Sequence, residues 1–143
     1  MKVLLQRVTQ AQVDVDGQTL SRIGKGLLLL IGIEHTDDEA NITRMAERVL
    51  NYRVFGDAGD KMNLSVLDIR GDLLAVSQFT LVADTRKGRR PSFSSAASPA
   101  RAEQLYEQFV AVLRHSSLTV ATGKFAANMQ ISLTNDGPVT FLL

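Results

Sequence analysis

A continuous apolar stretch, LLLLIGI at residues 27–33, constrains the fold of this chain more than any other feature of its sequence. Polar and apolar residues do not alternate in it, so it lacks the pattern of a strand with one solvated face. It is also much shorter than the roughly 20 residues that a membrane-spanning helix requires. An unbroken apolar run of this length is typical of a strand covered on both faces. The sequence therefore predicts a central strand between two layers.

Length and composition limit how those layers are built. The 143 residues, 45% of them hydrophobic, suffice for one core and predict a single domain, residues 1–143. A formal net charge of +1 means that a polyanion must bind to a local basic patch. The absence of cysteine excludes disulfides and thiolate nucleophiles and fits a reducing compartment. Because the first residues also lack a signal-peptide pattern, we expect a cytoplasmic protein with no membrane segment, no metal and no cofactor.

The segment that begins at Thr36 is predicted to be an amphipathic helix. Thr36 and Glu39 have the spacing of a capping box, and Asp37 and Asp38 favour the positive end of a helix dipole. Apolar residues then recur at helical spacing at Ile42, Met45, Ala46 and Val49. This spacing indicates one buried face.

A second helix is predicted from Ser98 to about His115. Ser98 is a favourable N-cap residue, and Pro99 suits the first helical position. The apolar stripe of this helix is the clearest periodicity in the chain and consists of Ala102, Leu105, Tyr106, Phe109, Val112 and Leu113. Such a stripe is typical of an amphipathic helix.

Turn signals divide the other apolar segments into strands. Asp16 and Gly17 predict a tight hairpin near the N-terminus. A further strand is predicted from Leu73 to about Leu81, and residues 124–133 and 139–143 are predicted to form a hairpin around an Asn-Asp-Gly turn. Because no βα repeat is evident, the sequence predicts an α+β domain with a mainly antiparallel, barrel-like sheet and two main helices.

The two histidines are weak catalytic candidates. His35 lies among acidic residues that are better explained by the start of the first helix, and His115 lies at the end of the second helix, where a partly cationic ring is favourable. Neither histidine is near a distinctive serine or threonine motif, so a catalytic triad has little support from the sequence.

A basic cluster, DTRKGRR at residues 84–90, is the chain's strongest concentration of charge. It contains Arg86, Lys87, Arg89 and Arg90 against the single acid Asp84. Such a run is most often a solvated loop. It also suits contact with a phosphate backbone, and the sequence leaves both interpretations open.

The motif SQFTL at residues 77–81 places Ser77, Gln78 and Thr80 at the end of a predicted strand. The pattern favours a strand with polar residues facing outward. The competing hypothesis is that the strand end leaves backbone N–H groups free to bind a substrate carbonyl oxygen. A threonine hydroxyl without a neighbouring base is a poor nucleophile.

Gly137 and Pro138 form an unusual pair because proline gives up a backbone N–H where the last strand should begin. The proline either ends the strand pairing or adopts the cis form. In both cases the carbonyl groups of Asp136 and Gly137 are less committed to the sheet. Such carbonyl groups are suitable acceptors for an ammonium group.

These residues make the sequence resemble the bacterial D-aminoacyl-tRNA deacylases, formerly called D-tyrosyl-tRNA deacylases. The resemblance extends over essentially the whole chain and is carried by SQFTL, GRRPSFS, SPARAEQLYEQF and TGKFAANMQISLTNDGPVTF. It implies a homodimeric enzyme that hydrolyses the ester between a D-amino acid, or glycine mischarged on tRNA(Ala), and the terminal ribose of tRNA. A noncatalytic tRNA-binding module and an esterase of small acyl substrates are the two alternatives.

The resemblance also implies roles for particular residues. Gly137 and Pro138, joined by a cis bond, reach into the partner's active site, hold the substrate's amino group and exclude L side chains. The catalytic motif comprises Ser77, Gln78, Phe79 and Thr80. Main-chain N–H groups near Phe79 and Thr80 stabilise the oxyanion, and the 2′-hydroxyl of the RNA assists the chemistry, while Thr80 as nucleophile is the older alternative.

Three supporting residues complete the predicted site. Arg7 is expected to brace the Gly-Pro segment. Phe125 and Met129 are expected either to line a pocket for the terminal adenosine or to be core residues of the predicted hairpin strand. The basic residues 86–90 are the predicted tRNA contact.

Overall fold

The computed structural model describes residues 1–143 and contains eight strands and two α-helices. In chain order the elements are β1 (Lys2–Val15), β2 (Gln18–Ile23), β3 (Gly26–Gly32), α1 (Glu39–Asn51), β4 (Phe55–Gly56), β5 (Met62–Leu64), β6 (Asp72–Ser77), a 3-10 helix (Phe79–Val82), α2 (Pro99–Arg114), β7 (Val120–Thr122) and β8 (Gln130–Leu142). Neither α-helix is long and apolar enough to cross a membrane.

Strand β1 organises the main sheet because it pairs along both of its edges. β8 lies antiparallel to β1 along one edge. The other edge is shared by β3, which pairs with residues 2–8 of β1, and β2, which pairs with residues 11–15. β6 extends the sheet beyond β3, and β7 extends it beyond β6. The result is a mixed, nearly barrel-shaped sheet with two helices, which confirms the predicted α+β class.

Most strand pairs are antiparallel, as predicted, but two are parallel, so the expectation that the chain contains no βα repeat was wrong. The β3–β6 and β6–β7 pairs both run parallel. Parallel neighbours require a crossover, and α1 and α2 lie within the two crossovers. The chain therefore does contain βα repeats. They are difficult to recognise in the sequence because irregular segments separate each helix from the next strand.

The apolar run at 27–33 forms β3, and both of its faces are covered, as predicted. Leu27, Leu29 and Ile31 belong to a core cluster that includes the inward faces of α1 and α2. Leu28 belongs to a second cluster on the opposite face, against which Leu30 packs. Alternate side chains of a strand point to opposite faces, so a strand buried on both sides needs an apolar residue at every position.

The predicted bounds of α2 are confirmed, whereas those of α1 were wrong at the N-terminus. α2 begins after Ser98 and ends one residue before His115. α1 begins after Asp38, whose carboxylate accepts a hydrogen bond from the backbone N–H of Asn41 at 2.8 Å. Thr36 therefore does not cap the helix, and the predicted capping box is not formed.

Asp37 also has a different role from the one predicted. Its carboxylate is buried and accepts hydrogen bonds from the Met1 ammonium at 2.5 Å and from the backbone N–H of Glu34 at 2.7 Å. Glu34 Oε2 accepts a second bond from the same ammonium at 2.8 Å. Glu34 and Asp37, on either side of His35, thus neutralise the buried Met1 ammonium. The prediction considered only the helix dipole and not a charged partner distant in the sequence.

The predicted C-terminal hairpin was wrong as well. Residues on both sides of the Asn-Asp-Gly sequence pair antiparallel with β1, from Gln130 opposite Asp14 to Leu142 opposite Leu4. The chain therefore continues in one direction through this segment instead of reversing. Residues 124–129 precede β8 and are not part of a strand.

Candidate active site

A cavity of about 490 Å³ lies where β3 and β6 end, beside the start of α2. Ser77, Gln78 and Phe79 form part of its wall, and Phe125 and Met129 form another part. Most of the lining is apolar, and none of the lining side chains is titratable. The cavity thus combines an apolar surface with the polar end of one strand, which is the usual composition of a small-ligand site.

The polar wall of the cavity lies where the backbone changes from strand to 3-10 helix. The sequence predicted instead that the strand continues to about Leu81, which was wrong. β6 ends at Ser77, and residues Phe79–Val82 form a 3-10 helix. The N–H of Gln78 still donates to the carbonyl of Ile31 at 2.7 Å. The N–H groups of Phe79 and Thr80 have no acceptor in the chain, because they open the 3-10 helix and lie beyond the last ladder pair.

A glycine beneath this turn allows it to lie close to β3. A Cβ atom at Gly32 would approach Val82 Cγ1 to 2.7 Å, Leu81 Cβ to 3.2 Å and the carbonyl oxygen of Gln78 to 3.3 Å. Val82 is buried, and its β-branched side chain has few alternative rotamers. Gly32 is therefore a functional candidate that sequence reasoning missed, since a glycine within an apolar run signals close packing only once the neighbour is known.

Thr80 has no side chain that would activate it as a nucleophile. Its hydroxyl accepts a hydrogen bond from the side-chain amide of Gln78, which cannot act as a base. Thr80 itself is exposed and does not line the cavity. His35 and His115 are absent from the cavity wall, and His35 Nδ1 lies 3.0 Å from the carbonyl oxygen of Ser95. The site therefore offers main-chain donors without an acid–base side chain.

Gly137 and Pro138 lie in a large bulge of β8. Gln6 pairs with Thr140 and Val8 pairs with Asn135, so four residues of β8, 136–139, face a single residue of β1. The Gly137–Pro138 peptide bond is cis, and both residues are exposed. Gly137 has a φ of +144°, and a Cβ atom there would lie 2.8 Å from the backbone nitrogen of Val139, so no other residue fits.

Side chains on both strands hold this bulge. Asn135 Oδ1 accepts a hydrogen bond from the backbone N–H of Val139 at 2.7 Å and so closes the bulge from within. Arg7, the β1 residue opposite the bulge, donates from Nε to the carbonyl of Asp136 at 2.8 Å and from Nη1 to the carbonyl of Val54 at 2.6 Å. Asn135 was missed by sequence reasoning because the Asn-Asp-Gly pattern was interpreted as a turn.

The structure brings together one part of the predicted site but not the whole of it. The cavity joins Ser77, Gln78 and Phe79 with Phe125 and Met129. Asp136 and Val139 of the bulge border a different depression together with Arg7, and Gly137 and Pro138 line neither of the two. Within one chain the SQFTL motif and the Gly137–Pro138 pair therefore do not share a pocket.

The basic cluster forms a loop closed at its base. Asp84 and Ser92 exchange two backbone hydrogen bonds, of 2.8 and 3.0 Å. The guanidinium of Arg86 lies 2.7 Å from the Asp84 carboxylate and, with the Arg86 backbone N–H, holds the pKa of that carboxyl group well below its usual range. Lys87, Arg89 and Arg90 form no ion pair, and all are exposed.

Comparison with known proteins identifies one family model and several similar proteins whose names agree with one another. The sequence model of a family described as D-Tyr-tRNA(Tyr) deacylase matches residues 4–143. Proteins named D-aminoacyl-tRNA deacylase are 62% identical in Actinobacillus succinogenes and 64% identical in Alcanivorax borkumensis, each alignment covering 100% of this chain and 99% of the relative.

Two solved structures have the same fold. One, named c-Myc DNA Unwinding Element Binding Protein, is 41% identical with a TM-score of 0.94 and covers 100% of this chain and 97% of that chain. The other, titled as a probable eukaryotic D-amino acid tRNA deacylase, is 17% identical with a TM-score of 0.88 and covers 99% of this chain and 97% of that chain. At that lower identity the second likeness concerns the fold alone.

Proposed function

This chain belongs to the D-Tyr-tRNA(Tyr) deacylase family, and on that premise we propose that residues 1–143 act as one cytoplasmic chiral-proofreading domain. The chain is a D-aminoacyl-tRNA deacylase, a hydrolase of the aminoacyl-tRNA ester bond. The observation that carries the proposal is the cavity wall at residues 77–79, where the N–H groups of Phe79 and of the adjacent Thr80 are free and no lining side chain is titratable.

The scissile carbonyl lies at the end of β6 in this proposal. The N–H groups of Phe79 and Thr80 bind the oxygen that becomes negative when water attacks the ester. One well-placed donor of this kind stabilises a transition state by about 2.7–4 kcal/mol. No side-chain base lines the cavity, so the 2′-hydroxyl of the terminal ribose assists the proton transfer. Ser77 and Gln78 shape the wall beside these donors.

Chirality is selected by the carbonyl groups of Gly137 and Pro138 from a second copy of the chain. The separation of the bulge from the cavity within one chain supports a contribution across subunits. Exposed apolar side chains on β8, namely Leu133, Phe141 and Leu142, support a homodimer. Rigid carbonyl groups that fix the amino group reject an L side chain by exclusion and accept any D side chain.

Three further assignments follow from this arrangement. Glycine has no side chain to exclude, so glycyl-tRNA mischarged on tRNA(Ala) is a substrate too. Phe125 and Met129, which are half-buried at the cavity wall, contact the terminal adenosine. Lys87, Arg89 and Arg90, with Arg86 beside them, contact tRNA phosphates.

The test is the release of labelled tyrosine from D-tyrosyl-tRNA and L-tyrosyl-tRNA in the presence of EDTA. The proposal expects hydrolysis of the D form alone, with glycyl-tRNA cleaved as well. Equal hydrolysis of both forms contradicts chiral selection. Equal rates on tRNA and on small aminoacyl esters favour the small-acyl esterase, and salt-dependent tRNA binding without hydrolysis favours the binding module.

A further inference from the structure

Two aromatic side chains form an exposed pair at the edge of the cavity. The ring centroids of Phe79 and Phe93 lie 5.0 Å apart, and the ring planes are tilted by 49°. Phe79 is 59% exposed and Phe93 is 39% exposed, although both are large apolar side chains. Two neighbouring exposed rings form a surface on which a third flat ring can stack.

The backbone around Phe93 is tied to the cavity wall. The carbonyl of Phe93 accepts a hydrogen bond from the N–H of Ala96 at 3.0 Å. The hydroxyl of Ser95 donates to the carbonyl of Val82, in the 3-10 helix that begins with Phe79, at 2.5 Å. The backbone segments that carry the two rings are thus connected before any ligand binds, which lowers the entropy cost of stacking on the pair.

The exposed loop that precedes Phe93 in the chain is cationic. Phe93 follows the base of the loop that carries Lys87, Arg89 and Arg90, none of which has an acidic partner. Exposed aromatic rings beside unpaired cations are the combination with which proteins bind single-stranded nucleic acid, since the rings stack on bases and the cations contact phosphates. A symmetric contact of two such surfaces would instead bring two cationic loops together.

We propose that the Phe79–Phe93 pair stacks on a nucleobase of the single-stranded 3′ end of tRNA. This inference rests on the proposed function, because Phe79 also lines the cavity that receives the aminoacyl ester. With the terminal nucleotide at the cavity, the stacked base belongs to a nucleotide that precedes it. The phosphates on the 5′ side of that base then face the basic loop.

The test compares two variants on two substrates. Phe93→Leu keeps an apolar side chain without the ring, and Phe93→Tyr keeps the ring. D-tyrosyl-tRNA contains the preceding nucleotides, whereas D-tyrosyl-adenosine lacks them. We expect Phe93→Leu to lower kcat/KM about 10-fold on tRNA, as loss of one stacked base does, and to leave D-tyrosyl-adenosine unaffected. Phe93→Tyr should restore the rate on tRNA.

Three outcomes overturn the stacking site. The first is an unchanged kcat/KM of Phe93→Leu on D-tyrosyl-tRNA, and the second is an equal loss of kcat/KM on both substrates. The third is a shift of Phe93→Leu to monomer in light scattering, which would make the aromatic pair a subunit contact. If the parent protein hydrolyses neither substrate, the proposed function fails. Equilibrium binding of a short single-stranded RNA ending in CCA then tests the stacking site independently of hydrolysis. The stacking site requires that Phe93→Leu bind this RNA more weakly than Phe93→Tyr does.

Discussion

Arg7 and Asp136 are joined by a hydrogen bond of 2.8 Å from the guanidinium Nε to the main-chain carbonyl oxygen. The same guanidinium donates to the carbonyl of Val54 at 2.6 Å, so it connects the β8 bulge to the segment that follows α1. The Asp136 carboxylate lies 3.5 Å from Nε and adds a charge contact. The position of the residue before Gly137 is thus set by a side chain 129 positions away in the sequence.

Replacing Arg7 with lysine should loosen the bulge while conserving the charge. A lysine ammonium is a single point donor and cannot serve both carbonyl groups in the geometry of the guanidinium fork. Hydrogen bonds from charged donors contribute about 1.5–3 kcal/mol each, so we expect a loss of that order in the free energy of unfolding. We also expect the ratio of D-tyrosyl-tRNA to L-tyrosyl-tRNA hydrolysis to fall.

The matched control is Arg22→Lys. Arg22 lies on β2 and donates only to the side chain of Gln12, at 2.8 and 2.6 Å. Its replacement should change the free energy of unfolding by no more than about 0.5 kcal/mol, as is usual for a surface site. Equal effects of the two substitutions in urea denaturation would show that Arg7 has no special role in the bulge.

Thr80→Ala is expected to retain most of the activity, because the hydroxyl has only the amide of Gln78 as a partner. The backbone N–H that we assign to oxyanion binding remains in the variant. Single-turnover rates on D-tyrosyl-tRNA should stay within about 10-fold of the parent, which corresponds to about 1.4 kcal/mol. A loss of three orders of magnitude in a correctly folded variant, or a trapped acyl-threonine, would make Thr80 the nucleophile.

Gly32→Ala should displace the 3-10 helix and slow the chemical step. The added methyl group meets buried Val82 at 2.7 Å, and overpacking of this kind costs about 1–3 kcal/mol in stability. We expect kcat to fall more than KM rises, since the displaced donors are those that we propose bind the transition state.

Gly24→Ala is the control for the glycine substitution. Its nearest neighbour is Asp72 Oδ2 at 3.6 Å, an ordinary van der Waals contact. The variant should retain the parent kcat. If Gly32→Ala has unchanged kcat while its folding stability falls, the packing of the turn is not linked to catalysis.

Tyr106 gives the fold a specific dependence on alkaline pH. Burial raises its pKa to about 12 from the ordinary value of 10.0. A raised pKa means that the folded state retains the proton longer, so this contribution is complete below about pH 10 and is lost as the pH rises toward 12. About two pKa units correspond to a loss of up to about 3 kcal/mol.

The Tyr106→Phe variant tests this pH dependence. The carbonyl of Ala75, which accepts from the Tyr106 hydroxyl at 2.9 Å, keeps a second donor in the N–H of Gly123 at 3.0 Å. The variant should therefore lose only about 0.5–1.5 kcal/mol at neutral pH. Its unfolding free energy should then decline less than that of the parent between pH 10 and 12, and parallel curves would refute the assignment.

Several features followed from local sequence because a local cause produces them. An apolar residue at every position of 27–32 requires burial on both faces, and β3 has it. Pro99 and the apolar stripe after it specify α2. Asp16 and Gly17, with φ angles of +51° and +76°, form the tight turn between β1 and β2. In each case the residues that determine the structure are close in the chain.

The site itself depended on long-range partners. Asn135, Asp136 and Gly137 permit a reversal of the chain but do not require one, and pairing with β1 on both sides makes this segment a bulge instead. The strand through Ser77 likewise ends where Gly32 of a neighbouring strand lets the backbone approach closely. Local preferences of a few residues amount to about 1 kcal/mol, whereas a complete strand ladder and its buried face contribute much more, so distant pairing prevails where the two conflict.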